Sequence, residues 1–260
     1  MRKKKMAIQK LNSIEKALHT LKVFTPENRP MGTVEISEKI GFHKATTSRI
    51  LLVLTKKGLL RQDPETRKFS LGPSALDIGR AILDSLSTDI SVIGRQQIEQ
   101  LRDELGETVV LEQFMVESTV ITQMAEGMQR VRLAGGVGDR LPLNATAGAK
   151  AILAFLEPEV SEALIRSHMD FKSFTPKTVT DPERLIEQLK GIRQKGYATD
   201  NEENEYGISA VGVPVFNHED LPVAAVVVVG LTAMINKNLG TILDRMQQTA
   251  WKISSSLMHG

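Results

Sequence analysis

The chain has 260 residues, 41% of them hydrophobic and none of them cysteine, which suits two domains with their own cores and excludes disulfides and thiolate metal sites. No apolar run approaches the ~20 residues that span a bilayer; the longest strong one, Val223 to Val229, is strand-sized, so a soluble chain in a reducing cytoplasm is expected. A formal net charge of +2 hides two opposite parts: residues 1–72 carry 16 Lys+Arg against 6 Asp+Glu, a balance of +10, and the remainder is at −8, so the first part attracts a polyanion while the second needs another task.

In chain order, Met1-Arg2-Lys3-Lys4-Lys5 has too few apolar residues for a secretory signal and reads as a basic arm able to touch phosphates, or as a solvated tail. Leu11, Ile14, Leu18 and Leu21 recur at helical spacing, with Ser13 as a cap, and predict a helix that closes a three-helix core. Thr33 to Ile40 is a second helix, capped by Thr33 and ended by Gly41. After the turn Gly41-Phe42-His43, Lys44 to Lys57 forms a third, ended by Gly58.

Each residue turns roughly 100° about a helix axis. If Ile50, Leu51 and Leu54 pack against Ile36 and Ile40, Thr46 and Arg49 point nearly the opposite way, and Lys44 and Thr47 lie nearer the edges of that face. Arginine can pair bidentately with guanine and threonine offers a hydroxyl and a methyl to base edges; phosphate contact suits Arg49 and Lys44 equally, and a solvated face has the same composition. The stretch behind it favours DNA. Leu59 to Leu71 reads as a hairpin turning at Asp63-Pro64-Glu65-Thr66, with Arg67 and Lys68 just past the tip, where a wing meets phosphates or the minor groove. Helix, turn, helix and basic hairpin are the parts of a winged helix-turn-helix.

Pro73 to Leu86 reads as a connecting helix and Ile90 to Leu105 as another. Strands are predicted over Thr108–Val116 and Thr119–Glu126, joined at Glu117-Ser118, and near Ser209–Phe216 and Val223–Leu231. Helices fall near Ala145–Leu156, Glu159–His168 and Pro182–Lys195, with a closing helix from Ile235. The whole is α+β, divided as 1–72, a linker over 73–87, and a mixed α/β domain over 88–260. Val223 to Val229 lacks a polar alternate and should be a central strand covered on both faces. Gly135-Gly136-Val137-Gly138 does not open a helix and reads as a turn rather than a phosphate loop. His19, His43, His168, His218 and His259 lack metal-ligand spacing, and no nucleophile motif is present, so no enzyme, metal or cofactor is expected.

One further segment has ligand-binding character. Asn144 suits a helix cap, and Ala145, Thr146, Ala147, Gly148 and Ala149 behind it leave backbone N–H groups uncovered at a positive dipole end, where a carboxylate can dock. Close helix-to-sheet packing calls for the same small residues.

These stretches resemble, over nearly the whole length, the IclR (isocitrate lyase regulator) family of bacterial transcriptional regulators. The matching residues are Ser13 to Leu18, Lys44 to Leu54, Leu141-Pro142-Leu143-Asn144-Ala145-Thr146-Ala147-Gly148-Ala149-Lys150-Ala151, and Gly196 to Glu203 running on to Gly207. The resemblance implies a winged helix-turn-helix, a linker helix and a GAF-like effector-binding domain. It also implies dimers or dimers of dimers on double-stranded operator DNA, repressing or activating in response to a small metabolite, commonly an organic acid or an aromatic. The implied pocket lies at the start of the helix holding Ala147 and Gly148, with Asp200 as its acidic residue. Ala210, Val227 and Val229 fall where members that bind small acids often have Cys or Ser. Apolar residues there suggest an aromatic or branched acid whose hydroxyl donates to Asp200. Glu203 is a candidate neighbour within a loop whose Glu202 and Glu205 are expected in solvent, and Met124, Met128 and Leu133 are candidate walls or ordinary core.

Overall fold

Asn12 starts the first helix, α1 (Ser13–Lys22). Its Oδ1 accepts from the N–H groups of Ile14 and Glu15, and the Glu15 carboxylate accepts from the Asn12 N–H, so two orphan ends are satisfied reciprocally. In the computed structural model the described residues are 11–25, 28–86, 90–115, 118–128, 135–167 and 171–258. They divide into two units, 1–82 and 83–260. The basic arm at Met1 to Lys5, the hairpin residue Glu117, Leu133, His168 and His259 lie outside the described residues.

In the first unit α1 is followed by α2 (Thr33–Ile40) and α3 (Lys44–Lys56), then by β1 (Leu60–Gln62) paired antiparallel with β2 (Phe69–Leu71). Gly41, at φ 72°, ends α2 in the left-handed conformation that a Cβ disfavours. The cap of α2 is Gly32, without a side-chain bond, and Thr33 is the first helical residue rather than the cap. The core gathers Phe24, Met31, Ile36, Ile40, Leu51, Leu54, Leu60 and Phe69. From α1 it takes Ala17 and Leu21; Ile14 and Leu18, expected inside, are 72% and 56% exposed. The i, i+4 spacing of that pair is helical on either side of the axis, so periodicity identified the helix and misassigned its face.

Helix α4 (Pro73–Leu86) crosses the division between the units, and α5 (Ile90–Leu105) opens the second. There β3 (Thr108–Met115), β4 (Ser118–Ala125), β5 (Arg140–Leu141), β6 (Ala198–Asn201), β7 (Ile208–Phe216) and β8 (Pro222–Leu231) form one antiparallel sheet in the order β5-β4-β3-β8-β7-β6. The short strands β5 and β6 are additions to the sequence reading. The helices α6 (Ala147–Phe155), α7 (Pro158–Ser167), α8 (Pro182–Lys195) and α9 (Thr232–Met258) complete it. Strand β8 is central and buried on both faces, as its unbroken apolar run implies. Ala225 and Val227 join α6 and α8 in one core, whereas Ala224, Val226 and Val228 join α5 and α9 in the other.

Candidate DNA-reading surface and ligand cavity

On α3 the side chains sort by the helical repeat. Thr47, Leu51 and Leu54 are buried, and Lys44, Ala45, Ser48 and Arg49 are exposed, with Thr46 half-buried and Leu52 72% exposed. Thr47 is therefore corrected. It lies one turn before Leu51 and faces the core, and its hydroxyl donates back to the His43 carbonyl at 3.3 Å, so it is not available to a base edge. Ser48, one residue on, takes the outward place; the 100° repeat signals this once Leu51 and Leu54 are fixed inside.

The wing is organised by Asp63. Its Oδ1 accepts from Glu65 N, Thr66 N and the Thr66 hydroxyl at 2.7–3.0 Å, and these donors hold its carboxyl below the usual carboxylate range. The chain turns at Arg67, which adopts φ 58°, so Arg67 and Lys68 stand exposed at the start of the returning strand. The exposed faces of α3 and the wing thus hold Lys44, Arg49, Arg67 and Lys68.

In the second unit the site follows from strand register. Thr108, Val229, Ala210 and Asp200 stand in one row across β3, β8, β7 and β6. Met124, Val110, Val227 and Gly212 form the next. The first row, Met124, Val110 and Val227 of the second, and the start of α6 line a partly open cavity of about 80 Å³, room for several waters or one small organic molecule. Val110, Ile121, Met124, Leu141, Val227 and Val229 make it mostly apolar, and Glu112, Asp200, Asn204, Glu205 and Thr146 supply polar groups.

Asp200, Ala210, Val227, Val229 and Ala147 all line this cavity. Gly148 does not, but a Cβ on it would lie 2.5 Å from Glu112 Cδ and 2.8 Å from Val227 Cγ2, so the glycine lets the cavity wall close against α6. Met124 lines the cavity and Met128 is exposed.

Glu203 is corrected. Its Oε1 accepts from Lys150 Nζ at 2.6 Å, deep beside the cavity rather than in it, and Lys150 also donates to the Thr199 carbonyl. Glu205 lines the cavity in its place. Asn144 is corrected too: its amide donates to the carbonyls of Lys172 and Val179, and the cap of α6 is Thr146, whose hydroxyl is turned back to the Pro142 carbonyl.

Two carboxylates dominate the electrostatics. Burial pushes the Glu112 carboxyl up to about 7 against the Thr119 hydroxyl that bonds it at 2.8 Å, with a smaller push from Asp200. Burial pushes Asp200 up to about 6, opposed by the Glu203 N–H on its Oδ1 and by the Lys150 charge. Glu112 escaped the sequence reading, although alternation along Val110, Glu112 and Phe114 puts it on the same face as two core residues.

A winged helix-turn-helix with a cationic outward face, carried on one chain with an α/β unit that holds a cavity, defines a DNA-binding transcriptional regulator. The IclR helix-turn-helix domain matches residues 13–64, and the domain described as bacterial transcriptional regulator IclR C-terminal matches residues 84–255. The chain belongs to the IclR family, whose members are DNA-binding regulators and not enzymes. It is 31% identical over 95% of its length to the HTH-type transcriptional regulator XynR of Escherichia coli, of which it covers 97%. Thermotoga maritima IclR, a solved structure, is 29% identical, with a TM-score of 0.70 over 95% of this chain and 99% of that one. An IclR homologue from Microbacterium hydrocarbonoxydans, solved with 4-hydroxybenzoate, is 19% identical with a TM-score of 0.78 over 96% of this chain and 100% of that one, and shares the fold. Among the described residues no helix is long and apolar enough to cross a membrane.

Proposed function

We propose that the chain represses a catabolic operon in the cytoplasm, binding its operator through residues 1–72 and sensing a small metabolite through residues 88–260, with residues 73–87 as the linker. The observation that carries this reading is the sorting of α3. The helix that follows the tight turn buries Thr47, Leu51 and Leu54 and exposes Lys44, Ser48 and Arg49. Lys44, Thr46, Ser48 and Arg49 read base edges or phosphates, and Arg67 and Lys68 contact the backbone beside them. The +10 balance of residues 1–72 supports a polyanionic partner.

Two copies act together, each placing one α3 in a half-site about 34–36 Å from the other, so a ligand that favours another spacing lowers operator affinity without touching DNA. The effector occupies the cavity lined by Asp200, Ala147, Ala210, Val227 and Val229. An organic or aromatic acid, the class suggested by the family resemblance, is the less favoured occupant because Glu112 already lies at the start of α6. A mobility-shift assay of the full chain on its own upstream promoter fragment, at low ionic strength and with and without cell metabolites, tests the reading. Retardation that metabolites change is expected; a fragment left unbound in both conditions overturns it.

A further inference from the structure

Three carboxylates line the cavity, Glu112 and Asp200 buried and Glu205 exposed to solvent, and no lysine, arginine or histidine does so among the described residues. The nearest buried cation, Lys150, is held by Glu203 and the Thr199 carbonyl. Glu112 and Asp200 are both at least nine-tenths buried. Each has one oxygen engaged, Glu112 Oε2 by Thr119 and Asp200 Oδ1 by the N–H groups of Glu203 and Asn204, and among the described residues no hydrogen bond falls on the other oxygen of either.

The start of α6, the natural anion site, is compromised in two ways. The Glu112 carboxyl lies against Gly148 in the first turn, so once it ionises, above about pH 7, its negative charge offsets the roughly half charge of the helix end. The peptide joining Ala147 to Gly148 rests on the backbone of β7: a Cβ on Gly212 would meet Ala147 O at 2.6 Å and Gly148 N at 2.9 Å. An incoming acid would add a carboxylate beside the two buried ones, Glu112 and Asp200, with no cation among the described lining residues to meet it. The vacant groups are acceptors, and what they lack is donors.

We propose that the cavity takes a small molecule that donates hydrogen bonds and carries no acid group, an alcohol or an amine on a largely apolar body, and that Glu112 sets this preference. The proposal rests on the reading of this cavity as the effector site. Glu112 and Asp200 receive the donors from opposite sides, while Val110, Ile121, Val227 and Val229 cover the apolar body. Discrimination against acids comes from repulsion by Glu112 as much as from attraction to the donors.

The test uses the full chain as wild type, Glu112→Ala and Glu112→Gln, titrated at pH 8 by calorimetry and thermal shift with two matched sets of probes. One set is 4-hydroxybenzyl alcohol, 4-hydroxybenzylamine and 4-hydroxybenzoate; the other is 1,2-propanediol, 1-amino-2-propanol and lactate. The expected result is that, within at least one set, the alcohol or amine binds wild type about tenfold or more tightly than the acid, a difference of about 1.4 kcal/mol. Glu112→Ala and Glu112→Gln then narrow or reverse that order, the amine losing more than the alcohol. An acid that binds wild type best, or an order unchanged by both variants, overturns the proposal and leaves the effector cavity standing. Silence of all six probes with all three proteins overturns both together.

Discussion

Lys150 Nζ and Glu203 Oε1 meet at 2.6 Å with the lysine wholly buried, so the loop after β6 is tied to α6 by a charge pair cut off from solvent. Removing one member leaves the other as an uncompensated buried charge, which costs roughly 3–5 kcal/mol. Lys150→Met is therefore expected to lower the urea midpoint sharply, and Lys150→Met combined with Glu203→Leu to recover part of the loss. A single variant as stable as wild type in equilibrium denaturation would contradict this account of the loop.

Gly148 is predicted to resist even a methyl group, because Glu112 and Val227 already fill the place of its Cβ. Overpacking of this kind costs about 1–3 kcal/mol. Gly148→Ala should be destabilised by that order, and Glu112→Ala in the same chain should relieve much of it. Strict additivity in the double-mutant cycle would show that the two sites do not touch.

The buried carboxylates give stability a pH dependence whose sign is fixed. Glu112 and Asp200 are raised to about 7 and about 6 from ordinary values of 4.5 and 3.8, so the folded chain holds their protons more tightly than the unfolded chain. Their contribution is fully present below the unfolded values and is lost as pH rises through 6 and 7, at about 1.4 kcal/mol per pH unit for each group titrating. Denaturation midpoints should fall between pH 5 and pH 8. The difference between wild type and Glu112→Gln isolates its share, and parallel pH profiles would remove Glu112 from the explanation.

On DNA, Arg49→Ala should weaken operator binding by about 1–3 kcal/mol if the guanidinium pairs with a base. Thr47→Val, which keeps the shape of a buried residue, should leave affinity within about twofold, since a change below roughly 0.4 kcal/mol is all that follows from a side chain remote from the groove. Removing Arg67 or Lys68 should reduce the salt slope by about one each, across operator and random sequence alike. Affinities measured by anisotropy at several salt concentrations check all three, and a Thr47→Val protein that folds normally yet loses the operator would restore that residue to the reading set.

Much of the fold was legible because burial has a period. Leu51 and Leu54 against Ile36 and Ile40, the stop at Gly41, and the unbroken run of β8 follow from spacing and from glycine chemistry alone. Errors arose where one spacing serves two arrangements. Ile14 and Leu18 are i, i+4 neighbours, but Ala17 and Leu21 share that interval, and the core took the second pair. Asn144 resembles a cap in sequence, yet its amide closes two carbonyls from residues 172 and 179, contacts that local sequence does not encode. For the cavity, Ala147, Asp200, Ala210, Val227 and Val229 came from resemblance, and Glu112 was missed because resemblance transfers positions already known to matter. Its alternation with Val110 was the available signal.

Gly212 and the Ala147–Gly148 peptide press backbone on backbone, with no side chain interposed. Two main chains in such apposition have no rotamer to turn and no soft filling to compress, so α6 is seated on β7 as on a hard bearing. A shift of α6 would find no side chain to repack at this point and would bear directly on β7, which shares its ladders with β6 and β8.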